Sequence, residues 1–414
     1  MSDIEIRPLR LTEIDQFTAL SYYAFSGRTP DERAGDFGRR ADPQRQALVL
    51  VEGGEIASQL LIKDFGTWYD GVRFPAGGLS NVATVPEKAR HGYADKLLRA
   101  ALAWMRDELG MTLSTLYATV YPLYNGLGWA LAEDGLRYSG PPTAFRPASH
   151  LPIDPGGRVV RRQARLDDVA LLEPVYRVFA QPRSGYLDRP RWYWEDTVLR
   201  YESATRPRWL ALWYGSDQRL AGYALYTLGG TPLSPRPESE LRVYEVVSLR
   251  PEGYHALLTF LSAHHLWKQI QIDGGRDVPW RSLVANPHQL EAQADFGHRF
   301  LLRVVDVQRA IRQKAVLTQG PVPDAAVRVV DEAAPWNDGT WLIGQRGAAW
   351  TCEPSANREA DATVDVATLA QLFTGFLPVR QAIDVGMLRA KDEARATLEA
   401  LFATAHPPHS VDHF

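Results

Sequence analysis

The 414-residue chain contains one cysteine, Cys352. An intrachain disulfide is therefore excluded, and the composition suits a reducing compartment, with the cytoplasm as default. Long apolar runs are also lacking. No stretch of about 18 apolar residues is present to cross a membrane, and the opening MSDIEIRPLRLTEIDQF carries early acids where a secretion signal would place its apolar core. An excess of either charge is missing too. Lys and Arg total 46 against 49 Asp and Glu, a net charge of −3. That gives no electrostatic case for nucleic acid or for an anionic membrane surface.

The chain is too long for one ordinary core, so two or three domains are expected. The passage SGPPTAFRPASHLPIDPGG, residues 139–157, is rich in proline and reads as a linker, and LTQGPVPDAA, residues 317–326, marks a second break. Before the first passage the expected order is a helix (LTEIDQFTALSYYAF), three strands (QALVLVE, EIASQLLIKDFGTWY and one near residue 82), a helix, and a strand (STLYATVY). A similar order returns after it, from LDDVALLEPVYRVFA to GYHALLTFLSAHH. This suggests an internal repeat of about 145 residues. From Arg303 onward short strands (RVVDV, DGTWLIG, AAWTCE, ATVDV) mix with helices in an α+β pattern.

VATVPEKARHGYADKLLRAAL, residues 82–102, carries the strongest local signal. Val82, Ala83, Thr84 and Val85 read as a strand. Ala94, Leu97, Leu98, Ala101, Leu102 and Met105 lie on one face of a helix. Arg90, His91 and Gly92 stand between them. A basic, glycine-bearing turn at a helix start is suited to an anion, because the first N–H groups lack internal acceptors and the dipole is positive there. As plain surface residues Arg90 and His91 would need no explanation; their position favours phosphate contact.

This turn, Ala89-Arg90-His91-Gly92-Tyr93-Ala94, resembles the CoA-binding motif of the GNAT N-acyltransferases, with Ala89 departing from the usual basic or amide residue. The whole chain resembles the Eis (enhanced intracellular survival) family of GNAT N-acetyltransferases. The resemblance rests on VATVPEKARHG, on LYNGLGW at 123–129, on RVVDVQRAI at 303–311, and on the final HSVDHF. It implies tandem GNAT folds with mixed central sheets flanked by helices, followed by a sterol-carrier-protein-like α+β domain. The boundaries expected are 1–145, 146–302 and 303–414.

The resemblance also implies direct transfer of acetyl from acetyl-CoA to an amine, with no metal, and one CoA per chain. The second strand-to-helix junction, VVSLRPEGYHALL, puts Glu252 where the basic patch would be, and an acid there would repel a pyrophosphate. Val82, Ala83, Thr84, Val85, Arg90, His91, Gly92, Tyr93, Ala94 and Thr119 are the expected cofactor residues, with the pantetheine arm between strands at Val82–Val85 and Tyr117–Tyr121. Tyr124 is the implied general acid, with Tyr121 as competitor; the plain alternative is a turn tyrosine packing on Trp129. The C-terminal carboxylate of Phe414 is the implied base, although an α-carboxyl ordinarily titrates at about 3.3–3.7 and terminal residues usually fray.

Asp31, Glu32, Asp36, Asp412 and His413 are the expected acceptor contacts, but His413 in place of a penultimate acid weakens the case for aminoglycosides. Polyamines, lysine side chains or another small amine stay open as acceptors. His406, His409 and His413 stand in a proline-containing run without helical ligand spacing, so a solvated tail or pocket lining is expected rather than a metal site. A homo-oligomer, a hexamer by resemblance, is implied. Two other readings remain: a lipid or small-ligand carrier using the last domain, and a scaffold without chemistry.

Overall fold

The structure, a computed structural model, describes residues 4–25, 42–200, 207–230, 239–294, 300–318 and 320–413. The first six strands are β1 (Ile4–Pro8), β2 (Ala47–Glu52), β3 (Glu55–Tyr69), β4 (Val72–Thr84), β5 (Leu113–Tyr117) and β6 (Ala130–Leu131). Asp70 and Gly71, with φ of 50° and 87°, join β3 to β4, as the Asp-Gly turn of a two-residue hairpin requires. Both faces of this sheet are covered. Leu48, Leu50, Leu60 and Ile62 pack with Leu97, Leu98, Ala101 and Leu102 of the helix Tyr93–Asp107. Val49, Val51 and Leu61 pack with Phe17 and Leu20 of the helix Ile14–Phe25. Alternation of inward residues thus serves two layers at once.

The second sheet contains β7 (Leu136–Gly140), β8 (Arg158–Gln163), β10 (Trp209–Tyr214), β11 (Leu220–Gly229), β12 (Glu240–Ser248), β13 (Gln269–Gly274) and β14 (Glu291–Ala294). Its strand order is β14-β7-β13-β12-β11-β10-β8. The short β9 (Leu187–Asp188) pairs instead with β3, tying the second unit to the long hairpin. The third sheet holds β16 (Ala325–Val330), β17 (Gly339–Arg346), β18 (Ala349–Pro354), β19 (Ala362–Asp365) and β20 (Leu388–Ala390), in the order β18-β17-β16-β19-β20.

Two strands cross the boundaries expected from sequence. β7 precedes residue 146 but pairs with β13 and β14 of the second sheet. β15 (Phe300–Val304) straddles 302/303 and inserts between β5 and β6 of the first sheet, not into the last domain. All five of its residues are buried, which suits an interior strand covered on both faces. The proline-rich passage is likewise packed rather than loose. Ala144, Phe145 and Leu151 enter the second core, and Ala148 N–H donates to Leu283 O at 2.8 Å.

The last domain presses its apolar face onto the first sheet. Phe373 meets Tyr69 and Phe74 edge-on, at 5.6 and 5.4 Å between ring centroids. Cys352 lies in β18, fully buried, as expected of a packing residue; burial pushes its thiol up to about 12.

Candidate active site

β4 and β5 run parallel but pair only over Ala76–Gly78 and Leu113–Thr115. Beyond that they part, leaving a split at their C-terminal ends. Register helps to open it. Gln59 faces Ala83 and Leu61 faces Ser80, so the single residue Leu60 faces both Asn81 and Val82. Asn81 sits in this bulge at φ 54°, a conformation that asparagine tolerates better than most residues. A bulge frees local backbone groups from the ladder and turns them elsewhere. Thr84 ends the strand, and Val85 is the N-cap residue of the short 3-10 helix Pro86–Lys88.

The helix Tyr93–Asp107 opens at the same end. Gly92 is its N-cap at φ 73°, and Arg90 is also left-handed at φ 64°. The first helical bond comes from Lys96 N–H to Gly92 O at 3.1 Å, so N–H groups before it have no intrahelical acceptor. Arg90, His91 and Gly92 are all exposed. Two left-handed residues flank His91, and turns of this kind can present backbone N–H groups to an anion; a strained non-glycine residue there is the kind of feature functional sites retain. His91 and Tyr93 lie 5.7 Å apart between ring centroids.

The repeat junction lacks these features. β12 carries a matching bulge: Leu225 faces Glu245 and Tyr226 faces Val243, leaving Tyr244 as the extra residue. The helix Pro251–Ser262, however, starts from an extended Arg250 at φ −141°, which is paired with Asp217 at 2.6 Å. Gly253 there is a packing residue: a Cβ would meet Ser248 Oγ at 2.1 Å and Trp213 at 2.8 Å.

At the other side of the split the strand stops at Tyr117, four residues short of the expected Tyr117–Tyr121 strand. Thr119 is exposed beyond it. Pro122 supplies a helical φ in the first turn of a short helix, Tyr121–Asn125. Tyr124 on this helix is buried and meets Trp129 edge-on at 6.4 Å. Burial pushes its phenol up to about 12, so it stays protonated at neutral pH. Tyr121 is exposed.

The chain's last described residues return to this place. His409 N–H donates to Ser184 O at 2.9 Å. The His409 ring lies against two glycines that leave it room: a Cβ on Gly275 would meet the ring at 2.3 Å, and one on Gly185 would meet the His409 carbonyl at 2.7 Å. Its Nδ1 is 3.2 Å from Glu133 Oε2, an ion-pair contact away from good hydrogen-bond direction. Asp412 accepts from Arg189 Nε at 2.7 Å, and its backbone carbonyl accepts from the Tyr117 hydroxyl. His413 O accepts from Tyr193 Oη at 2.8 Å, and its ring is 5.1 Å from that of Tyr117.

The tail thus runs from the second unit to the open end of β5. Of the two expectations for the histidine run, a solvated tail or a pocket lining, the first does not hold for His409, which is buried because Glu133 and the two glycines accommodate it. Asp412 is not an open carboxylate for a cationic acceptor; it is sealed against Arg189. His413 lines a cavity of about 620 Å³ with Arg137, Arg242 and Tyr244. A second cavity, about 840 Å³, lies where the first two units meet; Asp42, Asp64, Glu173 and Asp188 line it together with Arg73, Arg177, Arg189 and Arg191. Asp31, Glu32, Asp36 and Phe414 lie outside the described residues. Sequence reasoning missed Asn81, Arg189, Tyr193 and the role of Tyr117; of these only Asn81, an asparagine inside a strand pattern, carried a local signal.

Similarity to known proteins agrees with this architecture. An acetyltransferase (GNAT) domain family matches residues 5–132, a second acetyltransferase (GNAT) family matches 185–304, and a sterol carrier protein domain matches 307–411. An uncharacterized N-acetyltransferase of Streptomyces griseus is 26% identical over 407 residues, covering 94% of each chain. One from Streptomyces avermitilis is 24% identical, covering 100% of this chain and 99% of its own. In fold, Eis1 from Mycobacterium abscessus superposes over 100% of both chains with a TM-score of 0.80 at 21% identity. The protein is a GNAT acetyltransferase, built to use acetyl-CoA and an amine acceptor. More narrowly, it joins two acetyltransferase (GNAT) domains to a terminal sterol carrier protein domain, an arrangement whose fold is similar to that of Eis1. Among the described residues no helix is long and apolar enough to cross a membrane.

Proposed function

We propose that this chain transfers the acetyl group of acetyl-CoA directly to a small or lysine-like amine in the first GNAT unit. One observation carries the reading: the β4/β5 split, the left-handed turn at Arg90–Gly92 and the end of the described tail converge on one end of the first sheet. In this reading the N–H groups from Gly92 onward, with Arg90 and His91, hold the pyrophosphate. Backbone groups freed at the Asn81 bulge receive the thioester carbonyl, where donors stabilise developing negative charge.

The amine nitrogen attacks the carbonyl carbon. The new C–N bond forms, the C–S bond breaks, and the electron pair leaves with sulfur. Tyr124 gives its proton to the departing thiolate. The carboxylate of Phe414 takes the proton of the amine, directly or through water. Tyr117 and Tyr193 support that role by holding the last two described carbonyls. Asp412 contributes by anchoring the tail through Arg189.

A panel of kanamycin A, spermidine and an Nα-blocked lysine peptide, read by thiol release from acetyl-CoA, tests the activity. No release above the amine-free rate with any of the three would count against it. The carrier reading is less favoured, because the apolar face of the last domain is occupied by Tyr69, Phe74, Ala76 and Leu113 of the first sheet.

A further inference from the structure

Arg303 is fully buried, and nothing in the chemistry above uses it. Its Nη2 donates to Asp331 Oδ2 at 2.5 Å, a pair with both side chains sealed from solvent. Burying two charges is costly unless each is held by further hydrogen bonds. Asp331 has them: it accepts from Asn337 Nδ2 at 3.0 Å and from the N–H groups of Ala333 and Ala334 at 3.2 and 3.1 Å. Arg303 Nη1 donates to Val304 O at 2.8 Å. The third nitrogen, Nε, donates to Leu127 O at 2.9 Å.

Leu127 belongs to the turn that follows Tyr124. Its N–H, like that of Trp129, donates to Tyr124 O at 3.0 Å. Gly128 between them has φ 89°, and a Cβ there would meet Arg303 Nε at 2.9 Å and Val366 at 2.6 Å. The guanidinium and the last domain therefore fill the space behind the turn. From the other side Trp129 Nε1 donates to Ser114 Oγ at 3.2 Å, and Ser114 Oγ donates to Gly77 O at 2.9 Å. The carbonyl of Tyr124 is gripped by a turn that is itself pinned to β4 on one side and, on the other, to Arg303 of β15, which Asp331 of the last domain holds in turn.

We propose that Arg303, held by Asp331, is a positioning residue that fixes the Tyr124 turn relative to the β4/β5 split, so that the last domain sets the aim of the proton donor. The proposal rests on Tyr124 as general acid. A displacement of about 1 Å at a reacting group can cost around 10²-fold, and a turn that loses its anchor has that freedom.

The test is a double-mutant cycle between Arg303→Lys and Tyr124→Phe, using whichever of the three panel amines turns over fastest. Lysine keeps a cation for Asp331 but cannot also serve Leu127 O and Val304 O in a planar fork. Arg303→Lys is expected to lower kcat about 10–10²-fold, with the KM for acetyl-CoA and the Kd for CoA unchanged. In the Tyr124→Phe background the same substitution is expected to cost nothing further. Equal losses in both backgrounds, or a normal kcat in Arg303→Lys, overturn the proposal. A normal kcat in Tyr124→Phe alone overturns the general-acid reading instead, so the two failures are distinct. If Arg303→Lys melts below the assay temperature, Asp331→Asn replaces it in the cycle, with the same expected split and the same overturning results.

Discussion

Arg189 donates to Asp412 at 2.7 Å across 223 residues of sequence, and both side chains are almost completely sealed. Glu245 of β12 pairs with the same guanidinium. The Tyr176 hydroxyl bonds Asp412 at 3.3 Å, and the Tyr223 hydroxyl bonds Glu245. The second GNAT unit, without the left-handed turn of the first, thus serves as the receptor for the C-terminal tail. Replacing Arg189 with Met would leave two buried carboxylates facing one another, and breaking a buried pair costs about 3–5 kcal/mol. Arg189→Met is expected to release the tail to carboxypeptidase Y and to abolish most acetyl transfer, while circular dichroism and CoA affinity stay near normal. A tail as protected as in the unaltered protein would refute the anchor.

The turn at Arg90–Gly92 leads to a prediction about stoichiometry. Calorimetry is expected to give one CoA per chain, because of the two corresponding strand-to-helix junctions the first has exposed, left-handed residues and the second starts from an extended Arg250. Arg90→Glu should weaken binding by about 1–3 kcal/mol through a lost charge-assisted contact and added repulsion. Two CoA per chain, or unaltered affinity in Arg90→Glu, would contradict the assignment.

For Tyr124 the expected result is a fall in kcat of about 10²–10⁴-fold in Tyr124→Phe, with CoA affinity held. The pH profile adds a second check. The acid form is the active one, and burial raises its pKa to about 12. Protonated Tyr124 is therefore retained as pH rises, and no alkaline loss of kcat from this group should appear below about pH 10, where an ordinary tyrosine would begin to titrate. An alkaline limb near pH 8 that vanishes in Tyr124→Phe would show that the phenol is not buried in the way described.

How far the sequence alone disclosed the site follows the range of the interactions. The helix Tyr93–Asp107 was legible because one apolar face repeats with helical spacing, and Gly92 marked its start. The stretch Ala118–Tyr121 was misread because Val120 and the tyrosines favour a strand, whereas Pro122 begins a helical turn there. Of the strand expected at RVVDV only Arg303 and Val304 lie in β15, and Val307 already begins a helix; a strand's own residues also do not say which sheet it enters, so Arg303 was assigned to the wrong unit. The long-range contacts of His409 and Asp412 join positions more than one hundred residues apart and leave no local pattern. Gly185 and Gly275 were unremarkable in sequence; only the position of His409 shows why a side chain is excluded at each.

The same histidine predicts a pH effect on the tail. Burial opposes a charge on His409, but the Glu133 carboxylate beside it more than offsets this, so its pKa is raised. A raised value in the folded state adds stability that is full below the unfolded value of about 6.5 and is lost as pH rises through the folded value. Tail docking should accordingly loosen as pH rises above neutrality, seen as faster carboxypeptidase Y digestion at pH 9 than at pH 6.5 after correction for the enzyme's own profile. His409→Gln should remove the dependence. A tail whose digestion is equally slow at both pH values would mean that the His409–Glu133 contact contributes little.

The final prediction concerns the base. A terminal carboxylate can act only where Phe414 is the last residue, because one added residue converts it to a neutral amide and shifts the charge by up to about 3.6 Å. The described tail carries His413 to the ring of Tyr117 at the end of β5, the end of the sheet at which the proposed reaction centre lies. An extra glycine after Phe414, or deletion of Phe414, is therefore expected to leave folding and CoA binding intact and to remove most acetyl transfer. The two changes displace the carboxylate in opposite directions, which separates a positional requirement from simple crowding: crowding would spare the deletion. If mass spectrometry shows the glycine extension to be intact and it still acetylates the fastest panel amine at the unaltered rate, Phe414 is not the base. The amine proton would then leave through water or through a side chain near the split.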